Sequence, residues 1–419
     1  MSNQSSMESI PADGAVETEK GSAWNPGEGP SLRWLISPIE KQSFFKEYWE
    51  IRPLVIHRGQ PDYFSSLISL DEVDRALTTL DRRYPNTILK NAARDIARRD
   101  YTVDGEVLDV AKVYQHFADG STITLAFLDN VVPSLTRFCR ALECELSFPL
   151  QTNIYLTPPG AQGARPHYDT HDVFVLQVAG SKQWTVYGTP YQLPLASQDF
   201  DPEVHKKGAV TLEFDLRAGD IIYVPRGVVH EARSTDEVSL HITAGILRYT
   251  WADLLLEYVA GACLNDPAFR RSLPPGFARP GFDKAQAKQA LHALLGQVPL
   301  KADFDAALNR FLDALVRSCP PLLEGQMAQI AALDALTADS LAGARPGVVY
   351  YLQETDDSVV IHLCGRKITF PSFAADALRY ALRHPEFLVR DLPGGLDDAG
   401  KLTLVRRLIR EGLLMALHR

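Results

Sequence analysis

Cysteine is scarce in this chain, and none of it is spaced for pairing. The five residues Cys139, Cys144, Cys263, Cys319 and Cys364 include no Cys-x-x-Cys, and their number is odd. That argues against a disulfide scaffold or a zinc ribbon and predicts a reduced, cytoplasmic compartment. Long apolar runs are also missing. No stretch approaches the roughly 20 residues that cross a bilayer. Residues 1–20 are polar and acidic with no apolar signal core, so a soluble protein without membrane contact is expected. Net positive charge is absent too. Lys and Arg number 43 against 52 Asp and Glu, a formal net charge of −9. Nucleic-acid binding is therefore not expected, and a basic protein or a small molecule suits the charge better. No internal repeat is visible.

What is present is globular: 46% hydrophobic and 23% charged residues over 419 positions. That length is too great for one ordinary core and predicts two or three domains. Residues 1–30 are rich in Ser, Gly, Pro and Glu and bury too little to offset their ordering entropy, so a flexible tail is expected. Structure begins near Leu32. Helices are predicted at 40–49, 70 onward, 110–117 and 133–142, and strands at 52–56, 87–90, 101–103 and 151–157. From 153 to about 245 the pattern changes to short β runs punctuated by Gly, Pro and Asp: 173–180, 182–188, 209–216, 220–225 and 238–246. Such spacing predicts an antiparallel jelly roll with an open mouth for a small ligand.

Past Tyr249 the chain turns helical, at 251–264 and 304–315. In the second, Phe304, Leu308, Phe311, Leu312 and Leu315 form one apolar stripe, suited to a core or a dimer face. From about 347, two alternating strands joined at Thr355-Asp356-Asp357, a third strand at 367–371 and helices at 374–383 and 399–415 resemble a winged helix. The basic excess there is slight, which favours a scaffold or interaction module over a DNA reader.

Chemistry concentrates in RPHYDTHDVFVLQVAGSKQWTVY at 165–187 and GDIIYVPRGVVH at 219–230. His167 and Asp169 are two apart, which on a strand turns an imidazole and a carboxylate to the same face. A Gly-Asp turn, a β run and Pro225-Arg226-Gly227 then bring in His230. Two histidines and one carboxylate make the facial triad of non-haem Fe(II) enzymes, which leaves three metal positions open. His171 and His241 compete for the third place. Strand parity puts His171 about 13 Å along from His167, too far to share an ion. His241 sits inside a strand, as a hydrogen-bonded barrel residue that supports the ligands from behind. His205 lies in a charged loop and reads as surface.

Asn153, Tyr155, His167, Asp169, Lys182 and His230 together resemble the JmjC branch of the 2-oxoglutarate oxygenases, and within it the ribosomal oxygenases. In that family a basic residue fifteen positions after the first histidine pairs with the distal carboxylate of 2-oxoglutarate; Lys182 stands at that offset. An Asn-x-Tyr on the preceding strand, here Asn153 and Tyr155, lines the same pocket, with Thr243 a further member. The resemblance implies a mixed, mainly β fold. A double-stranded β-helix (jelly-roll, cupin/JmjC) barrel with flanking helices would occupy 31–249, a helical dimerisation block 250–340, and a winged-helix-like C-terminal domain 341–419. It implies Fe(II) held by His167, Asp169 and His230, with 2-oxoglutarate and O₂ as co-substrates. Oxidative decarboxylation to succinate and CO₂ would be coupled to hydroxylation of a protein side chain, with a ribosomal protein as candidate substrate and a homodimer as the assembly. Two neighbouring readings share this chemistry: a hydroxylase of a peptide or small molecule, and a lysine demethylase. A third, from another class, is a non-catalytic cupin-like binding or regulatory protein.

Overall fold

The computed structural model describes residues 30–417; the expected tail over 1–30 lies outside them but for Pro30. The chain divides into two compact units interleaved along the sequence. The first takes in Met1–Leu247, Pro321–Val348 and Phe373–Arg419, and the second Arg248–Pro320 and Val349–Ser372. The C-terminal segment expected as one domain from residue 341 is thus shared between the two.

The first unit is built on a seven-stranded sheet. Its order is Leu54–Ile56, Ile221–Val224, Asp172–Ala179, Ser239–Ile246, Leu150–Thr157, Thr122–Ala126 and Thr87–Lys90, and the pairs between neighbours are antiparallel. A three-stranded sheet, His230–Ser234, Ser181–Tyr187 and Val210–Arg217, accompanies it. The strand Asp172–Ala179 is apolar almost throughout because both of its faces are covered. Phe174 and Leu176 join a core with Leu35, Phe44, Phe64 and Phe138 from the helical side. Val173 and Val175 pack instead with Trp184, Val186 and Leu216 from the small sheet. Each such side chain contributes about 1.5–3 kcal/mol on burial. The same alternation runs through Ser239–Ile246. Leu240, Ile242, Ala244 and Ile246 face the helices, which turns His241 and Thr243 to the opposite, barrel side.

Two turns deliver the site segments. Gly219 adopts φ +88°, and a Cβ there would stand 1.9 Å from the Gln60 carbonyl oxygen. The Asp220 carboxylate accepts backbone N–H bonds from Arg58 at 2.9 Å and Arg217 at 3.1 Å, and lies 2.9 Å from His57 Nδ1. The Gly-Asp pair thus fixes the entry into Ile221–Val224. Gly219→Ala combines left-handed strain with a backbone clash and should cost at least about 2–3 kcal/mol. A fall in the urea midpoint checks this, and an unchanged midpoint would contradict it.

Elsewhere in the first unit the chain departs from expectation in strands that no local pattern announced, Thr122–Ala126, Leu341–Ala344 and Phe387–Leu388 among them, and in its last helix. The helix expected to run to Met415 covers Asp398–Arg410. Gly412 at φ +83° ends it, with Leu413 N–H bonded to Leu408 O at 2.9 Å, a glycine cap of the Schellman type. Leu414–Leu417 then pairs with Leu341–Ala344, whose other edge holds Phe387–Leu388. In the second unit, helices Trp251–Asn265, Lys284–Lys301 and Phe304–Ser318 accompany the strands Tyr350–Glu354, Ser358–Leu363 and Arg366–Pro371. Buried His362 joins helix to sheet: its Nδ1 lies 3.1 Å from Asp313 Oδ1 and its Nε2 3.1 Å from Gln353 Oε1, while the Tyr351 hydroxyl donates to the same Asp313 oxygen.

Candidate active site

His167 and Asp169 lie in the segment that leads into Asp172–Ala179, not within that strand. His167 makes a single bridge with His230: His230 N–H bonds to His167 O at 2.9 Å, and His167 N–H to His230 O at 3.2 Å. The two imidazoles therefore sit side by side, with ring centres 4.8 Å apart. Each ring commits its Nδ1–H to a backbone carbonyl, His167 to Arg165 O at 2.8 Å and His230 to Val228 O at 3.0 Å. That leaves the Nε2 lone pair of each ring free for a cation. Asp169 answers them, with its carboxylate oxygens 3.9 Å from His167 Nε2 and 3.8 Å from His230 Nε2. One donor atom from each residue falls within 4.8 Å of the other two, a spacing that one ion spans. The donor set of two imidazole nitrogens and one carboxylate suits Fe(II).

The electrostatics are consistent with a cation site. Burial opposes ionisation of Asp169, but His230, His167, His171 and Lys90 hold its carboxyl below the ordinary range. Burial pushes His230 down to about 4, with His167 adding to the effect, so this imidazole is neutral and ligand-ready at physiological pH. Trp184 stacks on it with ring centres 5.7 Å apart.

His167, Asp169, His230, Lys182, Asn153, Tyr155 and Thr243 all border one cavity of about 100 Å³. Register explains how distant residues meet there. Thr243 pairs with Asn153 and with Val175, and His241 pairs with Tyr155. Lys182 enters from the other sheet, where it pairs with Leu216 and Ser234. Its side chain is buried at 4% exposure, and burial pushes its ammonium down to about 7. Among the described residues no ion-pair or hydrogen-bond partner accompanies that ammonium. A buried lone cation is costly unless an anion joins it.

Several histidines differ from expectation. His171 also borders the cavity, beside Asp169. The 13 Å strand spacing does not apply, because 167–171 precede the strand. The His171 ring occupies the space over Gly245, where a Cβ would come within 2.7 Å of it. His241 is not hydrogen-bonded through Nδ1, which is buried without a partner. Its ring stacks on Tyr155 with centres 4.7 Å apart, and burial, with Lys182 nearby, holds it well below the imidazole range. His205 is half-buried, not surface, within an aromatic group of Tyr168, Tyr191 and Phe200. Sequence reasoning missed Lys90, Trp184 and Glu231 as cavity residues. Only the position of Glu231 directly after His230 could have flagged any of them.

Residues 127–254 match the family model described as JmjC domain. The chain is 31% identical over 298 residues to the bifunctional lysine-specific demethylase and histidyl-hydroxylase NO66 of Drosophila mojavensis, covering 67% of this chain and 33% of that protein. It is 29% identical over 315 residues to ribosomal oxygenase 1 of Danio rerio, covering 70% and 57%. The chain thus spans between a third and three-fifths of these two relatives. In fold it is similar to the Escherichia coli ribosomal oxygenase YcfD in complex with cobalt and 2-oxoglutarate, with TM-score 0.55, 18% identity, and coverage of 91% of this chain and 99% of that one. Among the described residues no helix is long and apolar enough to cross a membrane. Residues 127–254 thus match the JmjC domain, and about two-thirds of the chain is similar in sequence to proteins named as ribosomal oxygenase 1 or as the NO66 demethylase and histidyl-hydroxylase.

Proposed function

We propose that this protein is an Fe(II)- and 2-oxoglutarate-dependent oxygenase that hydroxylates a side chain of a protein substrate, with a ribosomal protein as the first candidate. The observation that carries this reading is the pairing, in one cavity, of the His167–Asp169–His230 donor set with the unpartnered, buried Lys182 ammonium. A metal chelated at one end of a keto-diacid needs a cation at the other, and these residues supply both ends.

In this reading His167, Asp169 and His230 hold the iron, and Lys182 neutralises the distal carboxylate. Asn153, Tyr155 and Thr243 line the space between. The bound iron supplies O₂ activation: one O₂ and one 2-oxoglutarate give succinate, CO₂ and one oxygen atom inserted into a substrate C–H bond. The protein's own part is to keep both Nε2 lone pairs aimed inward and to surround the reacting space with Trp184, Val173 and Val175, which keep water out. The relatives' names include both a hydroxylase and a demethylase. Product analysis separates the two, since demethylation releases formaldehyde and hydroxylation does not. The test of the proposal is 2-oxoglutarate turnover with iron and a ribosomal protein extract. Succinate formed together with an oxygen-mass increase on one ribosomal protein supports it. Succinate release with no modified protein would move the substrate to a peptide or small molecule.

The assembly belongs to the same proposal: a cytoplasmic homodimer formed through the helices of 251–336. On Trp251–Asn265, Trp251, Leu255 and Leu256 are 73%, 59% and 72% exposed, an apolar face that water disfavours. Light scattering should give twice the chain mass, and Leu256→Glu should give the monomer. A wild-type monomer would contradict the dimer. The winged-helix-like C-terminal segment is assigned to scaffolding and protein contact, not to nucleic acid.

A further inference from the structure

Beneath the candidate metal centre lies a buried charged group that the proposed chemistry does not use. Asp172 is fully buried three residues after Asp169, and Arg226 is 7% exposed four residues before His230. The Arg226 Nη1 donates to Asp172 Oδ2 at 2.9 Å and also to Glu50 Oε1. The Arg226 backbone N–H donates to Asp172 Oδ1 at 3.2 Å, as does the Tyr223 hydroxyl at 3.2 Å. One residue on, Gly227 N–H bonds to Asp169 O at 3.1 Å. Gly227 adopts φ +82°, and a Cβ there would meet the Tyr191 carbonyl oxygen at 2.2 Å.

These bonds form a ladder between the only two segments that carry the triad. Its upper rungs are the paired backbone bonds of His167 and His230, its middle rung is Gly227 to Asp169, and its foot is Asp172 with Arg226. The Val228 carbonyl that orients the His230 ring lies between the middle rung and the upper rungs, one residue beyond Gly227. A shift at the foot therefore moves both halves of the donor set. Glu50 braces the foot from outside the barrel. It holds φ +58°, a left-handed conformation that a non-glycine residue adopts only where its surroundings fix it, and its N–H is bonded to the Tyr223 hydroxyl at 3.0 Å. A buried ion pair adds little net stability over an apolar pair of the same shape. Its effect is to select one arrangement, and here that arrangement is the mutual position of two ligand-bearing segments.

We propose that Asp172, Arg226 and Glu50 are positioning residues that set the register of the His167/Asp169 segment against the His230 segment, and so the geometry and affinity of the metal site. The inference rests on the oxygenase reading for the identity of that site. Co(II), which reports its coordination through visible ligand-field bands, tests it on the full chain without turnover. Asp172→Asn and Arg226→Met should weaken Co(II) binding about 10–100-fold and change the band shape, and Glu50→Gln should shift both in the same direction by less. Thermal melting of the metal-free variants shows which of them fold. Folded variants with wild-type affinity and an unchanged spectrum would overturn the proposal, whatever their melting temperature. If the two buried variants fail to fold, Glu50→Gln decides it, since that carboxylate is 35% exposed: a wild-type affinity and spectrum there overturn the proposal. A wild-type protein that binds no Co(II) would remove the oxygenase reading itself. Tight wild-type binding with unaffected variants removes only the positioning role.

Discussion

Replacing Asp169 with alanine should abolish iron-dependent succinate release. Asp169 is the one carboxylate of the donor set, and it faces both Nε2 atoms at 3.8–3.9 Å. Without it only the two imidazole donors remain, and the Lys90 ammonium beside the site loses the carboxylate that faces it. The loss in metal affinity should exceed the roughly 10–100-fold that follows from removing a residue behind a ligand. The fold should survive, because the backbone bridge between His167 and His230 does not involve the Asp169 side chain. Metal titration and succinate assay on the same sample check both statements. Retained turnover in Asp169→Ala would mean that the reacting centre lies elsewhere.

Lys182→Met should have two opposite effects. Affinity for 2-oxoglutarate should fall by about 2–5 kcal/mol, the cost of removing one partner of a buried charge pair, or roughly 30- to 4000-fold in Kd. The ligand-free protein should become more stable. The ammonium is held down to about 7 by burial and titrates near 10.4 in an unfolded chain. Below pH 7 it is charged in both states and carries its full desolvation penalty. Between pH 7 and about 10.4 the unfolded state binds the extra proton, so wild-type stability rises with pH, and above that range the penalty is gone. The advantage of the Met variant should be full at pH 6, on the order of a few kcal/mol, and should shrink toward pH 10. Denaturant midpoints across that range measure it. A wild-type protein already more stable than the variant at pH 6, without ligand, would mean that Lys182 has an anionic partner of its own.

Much of the barrel was legible because its strands alternate between two covered faces and its turns carry Gly, Pro and Asp. His167 and Asp169 stood out by their two-residue spacing and His230 by the Gly-Asp and Pro-Arg-Gly turns before it, whereas Lys182 was picked out only by the resemblance to the JmjC oxygenases. What escaped reading has physical reasons. The strand His230–Ser234 reads His-Glu-Ala-Arg-Ser, with no apolar alternation, since its pairing with Ser181–Tyr187 is what makes it a strand. The helix Lys284–Lys301 was missed because its apolar residues do not gather on one side. His171 was misplaced by applying strand rise to residues that are not yet in the strand. The bond between Glu50 and Arg226 joins residues 176 positions apart, and no local pattern announces it. The division of the C-terminal segment was equally hidden, because the three strands Tyr350–Glu354, Ser358–Leu363 and Arg366–Pro371 carry no mark of the unit they belong to.

The most direct test is anaerobic addition of 2-oxoglutarate to the Fe(II)-loaded protein, followed by visible absorption. Joint chelation by the metal and anchoring by Lys182 predict a weak charge-transfer band in the wild type. The band should be absent in Asp169→Ala and require far more 2-oxoglutarate in Lys182→Met. Wild-type protein that binds Fe(II) and 2-oxoglutarate without developing the band, or a band unaffected in both variants, would contradict the assignment of this cavity.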